Sequence, residues 1–192
     1  MTEQTNPLTR QEPPASPTLK PGHRYLSIIA HVCGENARRL EDWKRNVVGG
    51  SQAPVSTHVT VYLAELTERL VAALASERAR EALTLPHFEA RWGAVRSFRP
   101  VTAVEYLHLE EGSASFERAH RALTEVLGPG AAPFPYVPHV TLGHGLSEAQ
   151  VQKAREIFDA LPARERTFVV ERLHVYLSEG NSWEQIGILP LY

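Results

Sequence analysis

The tripeptide His-Val-Thr occurs twice in this chain, at His58-Val59-Thr60 and at His139-Val140-Thr141, and an aliphatic residue (Val61, Leu142) follows each copy. An extended strand turns successive side chains to opposite faces, so residues i and i+2 share one. Each copy therefore offers an imidazole and a hydroxyl side by side, with an aliphatic side chain pointing the other way. This demands two strands, each with one wet and one dry side. Random placement would give about 0.6 His-x-Thr copies in such a chain, and about 0.1 once the middle and following positions must be apolar. Two copies are then expected in roughly one chain in two hundred.

The rest of the composition sets limits. A length of 192 residues, 43% of them hydrophobic, suits one domain or two small lobes sharing a core. A formal charge of −2 argues against tight binding to long nucleic acid and against DNA-sequence recognition, yet leaves room for a short or single-nucleotide ligand held by a local positive site. Cys33 is the only cysteine, which excludes an internal disulfide and a multi-cysteine zinc site; it reads as a small buried residue on a strand. No apolar run reaches the length of a membrane span, and no basic-then-apolar leader opens the chain. The expectation is a cytoplasmic monomer.

Residues 1–22 contain Pro7, Pro13, Pro14, Pro17 and Pro21 and almost no large apolar side chains, and read as a disordered arm. The folded part is expected over 23–192, as one lobe at about 23–100 and a second at about 101–192. The first passage reads as a strand at Arg24–Val32, a helix near 36–46, the motif strand Thr57–Leu63, a helix at Glu65–Arg80 and a strand or hairpin at about 87–98. The second reads as a strand at Ala103–Leu109, a helix at Ser115–Leu127, the motif strand His139–Gly143 and a helix at Glu148–Leu161 capped by Ser147. Strands at Thr167–Leu177 and Trp183–Leu189, joined by a turn at Glu179-Gly180-Asn181, complete it. The predicted class is α+β: a duplicated β-α-β-α-β unit in two lobes, with two mainly antiparallel sheets facing a central cleft and helices outside.

Strand parity indicates what lines that cleft. Leu26, Ile28, Ala30, Val59, Val61, Val140 and Leu142 fall on one face. His31, His58, Thr60, Tyr62, Tyr106, His108, His139, Thr141, His174 and Tyr176 fall on the other. The second set holds His, Tyr and Thr where a merely solvated face would carry Lys and Glu. Tyr62, His108, Tyr136, His174 and Tyr176 are candidates to line a substrate site, aromatics of this kind being able to stack on a base. His144, at an odd offset from His139, is assigned to a loop or to packing.

Cleavage of a phosphate ester needs a base for the incoming oxygen and an acid for the departing one. Imidazole serves as either, since its reference pKa of about 6.5 lies near neutral pH. Two hydroxyls would hold the non-bridging oxygens. A metal site fits poorly, because the i+2 partner of each motif His is Thr and no Cys cluster or Asp/His pair is present.

Two His-hydrophobic-Thr-hydrophobic motifs about eighty residues apart resemble those of the two-histidine (2H) phosphoesterases, and above all the 2′-5′ RNA ligase and RNA 2′,3′-cyclic phosphodiesterase branch. The stretch Tyr136-Val137-Pro138-His139-Val140-Thr141-Leu142-Gly143 and the closing strand that ends Leu189-Pro190-Leu191 carry the likeness, which extends over about 23–192. It implies a bilobal α+β fold, His58 and His139 as the acid–base pair, and Thr60 and Thr141 as phosphate ligands. It also implies hydrolysis of 2′,3′-cyclic phosphates to 2′-phosphates without metal or cofactor, and in some members reversible joining of RNA ends. The substrate would be an RNA end or a small nucleotide. Another cyclic or 2′-5′-linked nucleotide, or nucleotide binding without turnover, are the alternatives. Gly143 and His144 after the second motif, and Tyr62 after the first, depart from the RNA ligase-like pattern.

Overall fold

The structure, a computed structural model, describes residues 20, 22–49, 55–82 and 84–192. Of the arm expected over 1–22, all but Lys20 and Gly22 lies outside the described residues. The order is β1 (Arg24–His31), α1 (Gly34–Trp43) running on into a π-helical turn (Lys44–Val48), β2 (His58–Glu65), α2 (Glu68–Leu74), α3 (Glu77–Ala82), β3 (Phe88–Ser97), β4 (Val104–Glu111), α4 (Ser113–Leu127), β5 (His139–His144), α5 (Glu148–Phe158), a 3-10 turn (Ala163–Glu165), β6 (Thr167–Val170), β7 (Arg172–Glu179) and β8 (Ser182–Pro190). The class is α+β, as expected. No helix among the described residues is long and apolar enough to cross a membrane.

All neighbouring strands are antiparallel, in the order β6-β3-β4-β5-β2-β1-β7-β8. The expectation of two sheets is corrected to one. Its two four-stranded halves meet at β2 and β5, where Val59↔Val140 is the one registered pair. The halves of the sheet are not the halves of the sequence. β3, from the first passage, pairs with β4 and β6, whereas β7 and β8, from the second, extend the edge of β1. The single strand expected at Thr167–Leu177 is accordingly two, with β6 on β3 and β7 on β1.

Helical spacing buries one stripe of each long helix: Leu40 and Trp43 on α1, and Phe116, Ala119, Leu123 and Leu127 on α4. These side chains join Ile28, Val59, Leu107, Val140 and Leu142 in one core. Ser147 caps α5 in a reciprocal box with Gln150. The helix predicted over Glu65–Arg80 breaks at Ser76, whose hydroxyl donates to Ala73 O (2.6 Å) and accepts from Ala79 N (3.2 Å), ending α2 and opening α3. Cys33 is exposed, just past β1, rather than buried on a strand.

Both motif strands carry a bulge at the same place. Thr60 pairs with Ile29 and Tyr62 with Ile28, leaving Val61 as an extra residue. Thr141 pairs with Tyr106 and Gly143 with Glu105, leaving Leu142 extra. Each bulged residue lies three positions after a motif histidine and is fully buried. A bulge inverts the alternation that follows it. Tyr62 therefore points into the core instead of the cleft: it is 1% exposed, and its hydroxyl donates to Gly128 O at 3.1 Å.

Candidate active site

The pair Val59↔Val140 centres one tripeptide on the other. Both valines are completely buried, so the flanking His and Thr side chains emerge together on the opposite face. In an antiparallel ladder, continuing this register sets His58 against Thr141 and Thr60 against His139. All four are half-buried and line one cavity of about 720 Å³. Among the described residues, neither threonine hydroxyl is bonded within the protein, which leaves both free for a ligand.

The two imidazoles are held alike. Nδ1 of His58 lies 2.8 Å from Ser56 O, and Nδ1 of His139 lies 2.7 Å from Val137 O. A carbonyl oxygen only accepts, so each Nδ1 carries the hydrogen and each Nε2 is left bare. Burial pushes the pKa of His58 down to about 4, against the carbonyl of Ser56, which raises it, and with help from Lys44, His31 and His139, which lower it. Burial also lowers His139, opposed by the Val137 carbonyl and assisted by His144. That His58 senses His139 follows from their facing one hollow.

Lys44, Arg45, Ser56 and His144 also line the cavity, with Glu41 as its acidic member. Lys44 Nζ donates to Thr57 Oγ1 at 2.9 Å, and the Glu41 carboxylate accepts from Thr57 N at 2.7 Å and from its hydroxyl. This network ties α1 and the π-turn to the residue just before His58. On the other side, Trp43 Nε1 donates to the bulged carbonyl of Leu142 at 3.0 Å.

None of the five further candidates lines this cavity. Tyr62 is in the core. Tyr136 sits behind β2, its hydroxyl on Thr60 O (3.0 Å) and its ring stacked on His120 at 4.0 Å, where burial raises its pKa strongly. His108 lies across from His139 in register, and its buried Nδ1 has no hydrogen-bond partner among the described residues. His174 and Tyr176 flank His31, one strand beyond His58: the His174 ring is 4.5 Å from that of His31, and the Tyr176 hydroxyl is 3.0 Å from its Nε2. Tyr106 and Phe98, stacked on each other, lie 5.2 and 5.0 Å from the His139 ring, and Trp183 lies 6.4 Å from that of His58.

Sequence reasoning missed Lys44, Arg45 and Ser56, and it misplaced His144. The Leu142 bulge restores His144 to the cavity side; strict alternation turns it away. Lys44 and Arg45 reach the cavity through the π-turn, which no periodicity in the sequence marks. Among the described residues no group of three or more His, Cys, Asp or Glu is placed to hold a metal ion.

The sequence profile of the 2′-5′ RNA ligase superfamily matches residues 34–182. A provisionally named phosphoesterase of Geobacillus kaustophilus is 28% identical over 153 residues, covering 76% of this chain and 86% of the relative. Among solved structures, apo LigT of E. coli has a TM-score of 0.66 at 16% identity, covering 88% of this chain and 98% of LigT. LigT complexed with 3′-AMP and LigT complexed with NADP+ each give 0.62, at 15% and 16% identity, with the same coverage. At these identities the structural likeness speaks to the fold alone.

Proposed function

The chain belongs to the 2′-5′ RNA ligase superfamily and its activity is of the phosphoesterase type; on that premise we propose that it hydrolyses a 2′,3′-cyclic phosphate, on an RNA end or a nucleotide, to a 2′-phosphate. One observation supports this reading above the others: two bare imidazole nitrogens and two free hydroxyls turned into a single cavity.

One imidazole Nε2 takes a proton from water as the water oxygen bonds to phosphorus. The other imidazole gives a proton to O3′ as the P–O3′ bond breaks, leaving a 2′-phosphomonoester and a free 3′-hydroxyl. Thr60 and Thr141 donate to the non-bridging oxygens, where charge grows in the transition state. The lowered pKa values leave both rings neutral in the empty cavity at pH 7, which suits the base. A bound phosphodiester anion raises the pKa of a nearby imidazole and so supplies the acid with its proton. Lys44 and Arg45 add positive charge to the same wall. With a 5′-hydroxyl end in place of water, the same forward steps join RNA through a 2′-5′ linkage and free the 3′-hydroxyl; run backwards, they cleave that linkage and restore the cyclic phosphate. The LigT complexes lend support from ligand chemistry, since 3′-AMP carries a phosphate on a ribose 3′ oxygen and NADP+ one on a ribose 2′ oxygen.

The test is product analysis on 2′,3′-cyclic AMP and on an oligoribonucleotide with a cyclic end, in excess EDTA. The 2′-phosphate should accumulate in both cases. His58→Ala and His139→Ala should each lower kcat by about 10²–10⁴. Unchanged turnover in both variants would refute the proposal.

A further inference from the structure

We propose that His31 is a positioning residue for His58, acting through Ser56 and held in turn by Tyr176 and Gln185; the inference rests on the catalytic role proposed for His58. His31 on β1 lies directly across from His58 on β2. Its Nδ1 is 2.8 Å from Ser56 Oγ and its Nε2 is 3.0 Å from the Tyr176 hydroxyl. That hydroxyl donates to Gln185 Oε1 at 3.0 Å, and the same oxygen lies 3.3 Å from Nδ1 of His174.

The directions of these bonds follow from what each group has to give. The Tyr176 hydrogen is committed to Gln185, so the phenol oxygen accepts from Nε2–H of His31. This leaves Nδ1 of His31 bare, and it accepts from the Ser56 hydroxyl. The chain runs one way, Ser56 to His31 to Tyr176 to Gln185, with every donor matched. Ser56 is thereby bonded to two histidines by different atoms: its hydroxyl to His31 and its carbonyl to Nδ1 of His58. Ser56 is exposed and precedes the strand, and its carbonyl shares a peptide plane with Thr57 N, which donates to Glu41 at 2.7 Å. The plane that aims His58 is thus held on one side by Glu41 and on the other by the Ser56 hydroxyl on His31.

The other half of the site uses a different device. The carbonyl that holds His139 belongs to Val137, whose side chain can donate nothing. There the restricted backbone of Pro138 and the Tyr136 hydroxyl on Thr60 O take over the task. His108, which matches His31 in register, has no partner for its Nδ1 among the described residues. Loss of His31 should therefore disturb His58 and leave His139 aimed.

His31→Ala and Ser56→Ala should each lower kcat on 2′,3′-cyclic AMP about tenfold, as expected for one lost hydrogen bond, with KM within about twofold. Because both variants break one chain, the double variant should be no slower than the slower single. Nitrogen-15 NMR should show His58 as a single Nδ1–H tautomer in the native protein and as a mixture in either variant. Ser56→Ala removes only an exposed hydroxyl, so its result does not depend on whether His31→Ala folds. Wild-type kcat in Ser56→Ala, or independent losses that multiply in the double variant, would overturn the inference while inactive His58→Ala left the function intact. Full activity in His58→Ala would instead overturn the function, and this inference with it.

Discussion

Replacing Thr60 and Thr141 by valine tests the cavity most directly, because it removes two oxygen atoms and little else. Valine keeps the branched shape and the strand preference of threonine. Both side chains are half-buried on the cleft face, and neither hydroxyl is bonded within the described protein, so no internal partner is orphaned. Folding stability should change by less than about 0.5 kcal/mol per site. Catalysis should change far more. A hydrogen bond to a charged oxygen contributes roughly 1.5–3 kcal/mol, which corresponds to a fall of about 10- to 150-fold in kcat/KM per hydroxyl. The substrate phosphate carries one negative charge and the pentacoordinate transition state approaches two, so most of the loss should fall on kcat rather than KM. The register sets each hydroxyl against the histidine of the other motif, hence on different non-bridging oxygens, and the double variant should approach the product of the two single effects. The assay is initial-rate formation of 2′-AMP from 2′,3′-cyclic AMP, with a thermal melt for each variant. If either single variant kept kcat/KM within twofold of the native value and melted normally, the assignment of that hydroxyl to the phosphate would be wrong.

Three further outcomes follow from the same structure. The pKa of His58 is about 4 in the folded protein against 6.5 for the free side chain, so between those values the unfolded chain binds the proton more readily and stability should fall as pH drops from 6.5 towards 4; thermal melts across this range should show that slope reduced in His58→Ala, and an unchanged slope would contradict the lowered pKa. Trp43→Phe removes the indole donor to Leu142 O and loosens the packing under the second bulge, which should cost about 1–3 kcal/mol in urea denaturation. Tyr62→Phe should cost about 1 kcal/mol of stability through the lost bond to Gly128 O and leave turnover unchanged; a catalytic defect with an intact melt would return Tyr62 to the site.

The period of two along a strand was enough, from residues alone, to put His58 with Thr60 and His139 with Thr141, and to send Val59 and Val140 the other way. That inference is local, since it needs only the pleat of an extended backbone. The helices near 36–46 and at Ser115–Leu127 and the Ser147 cap were legible for the same reason. What lies beyond three or four residues of the motifs was not. The bulges at Val61 and Leu142 are properties of pairing with β1 and β4, and they send Tyr62 into the core and His144 into the cavity against strict alternation. The exchange that puts β3 in one half of the sheet and β7 with β8 in the other depends on which edges meet after collapse, a choice among long-range pairings that no local pattern encodes. The tertiary structure alone decided that both motifs meet at a single valine pair, and with it whether two imidazoles and two hydroxyls form one site or two unrelated strand faces.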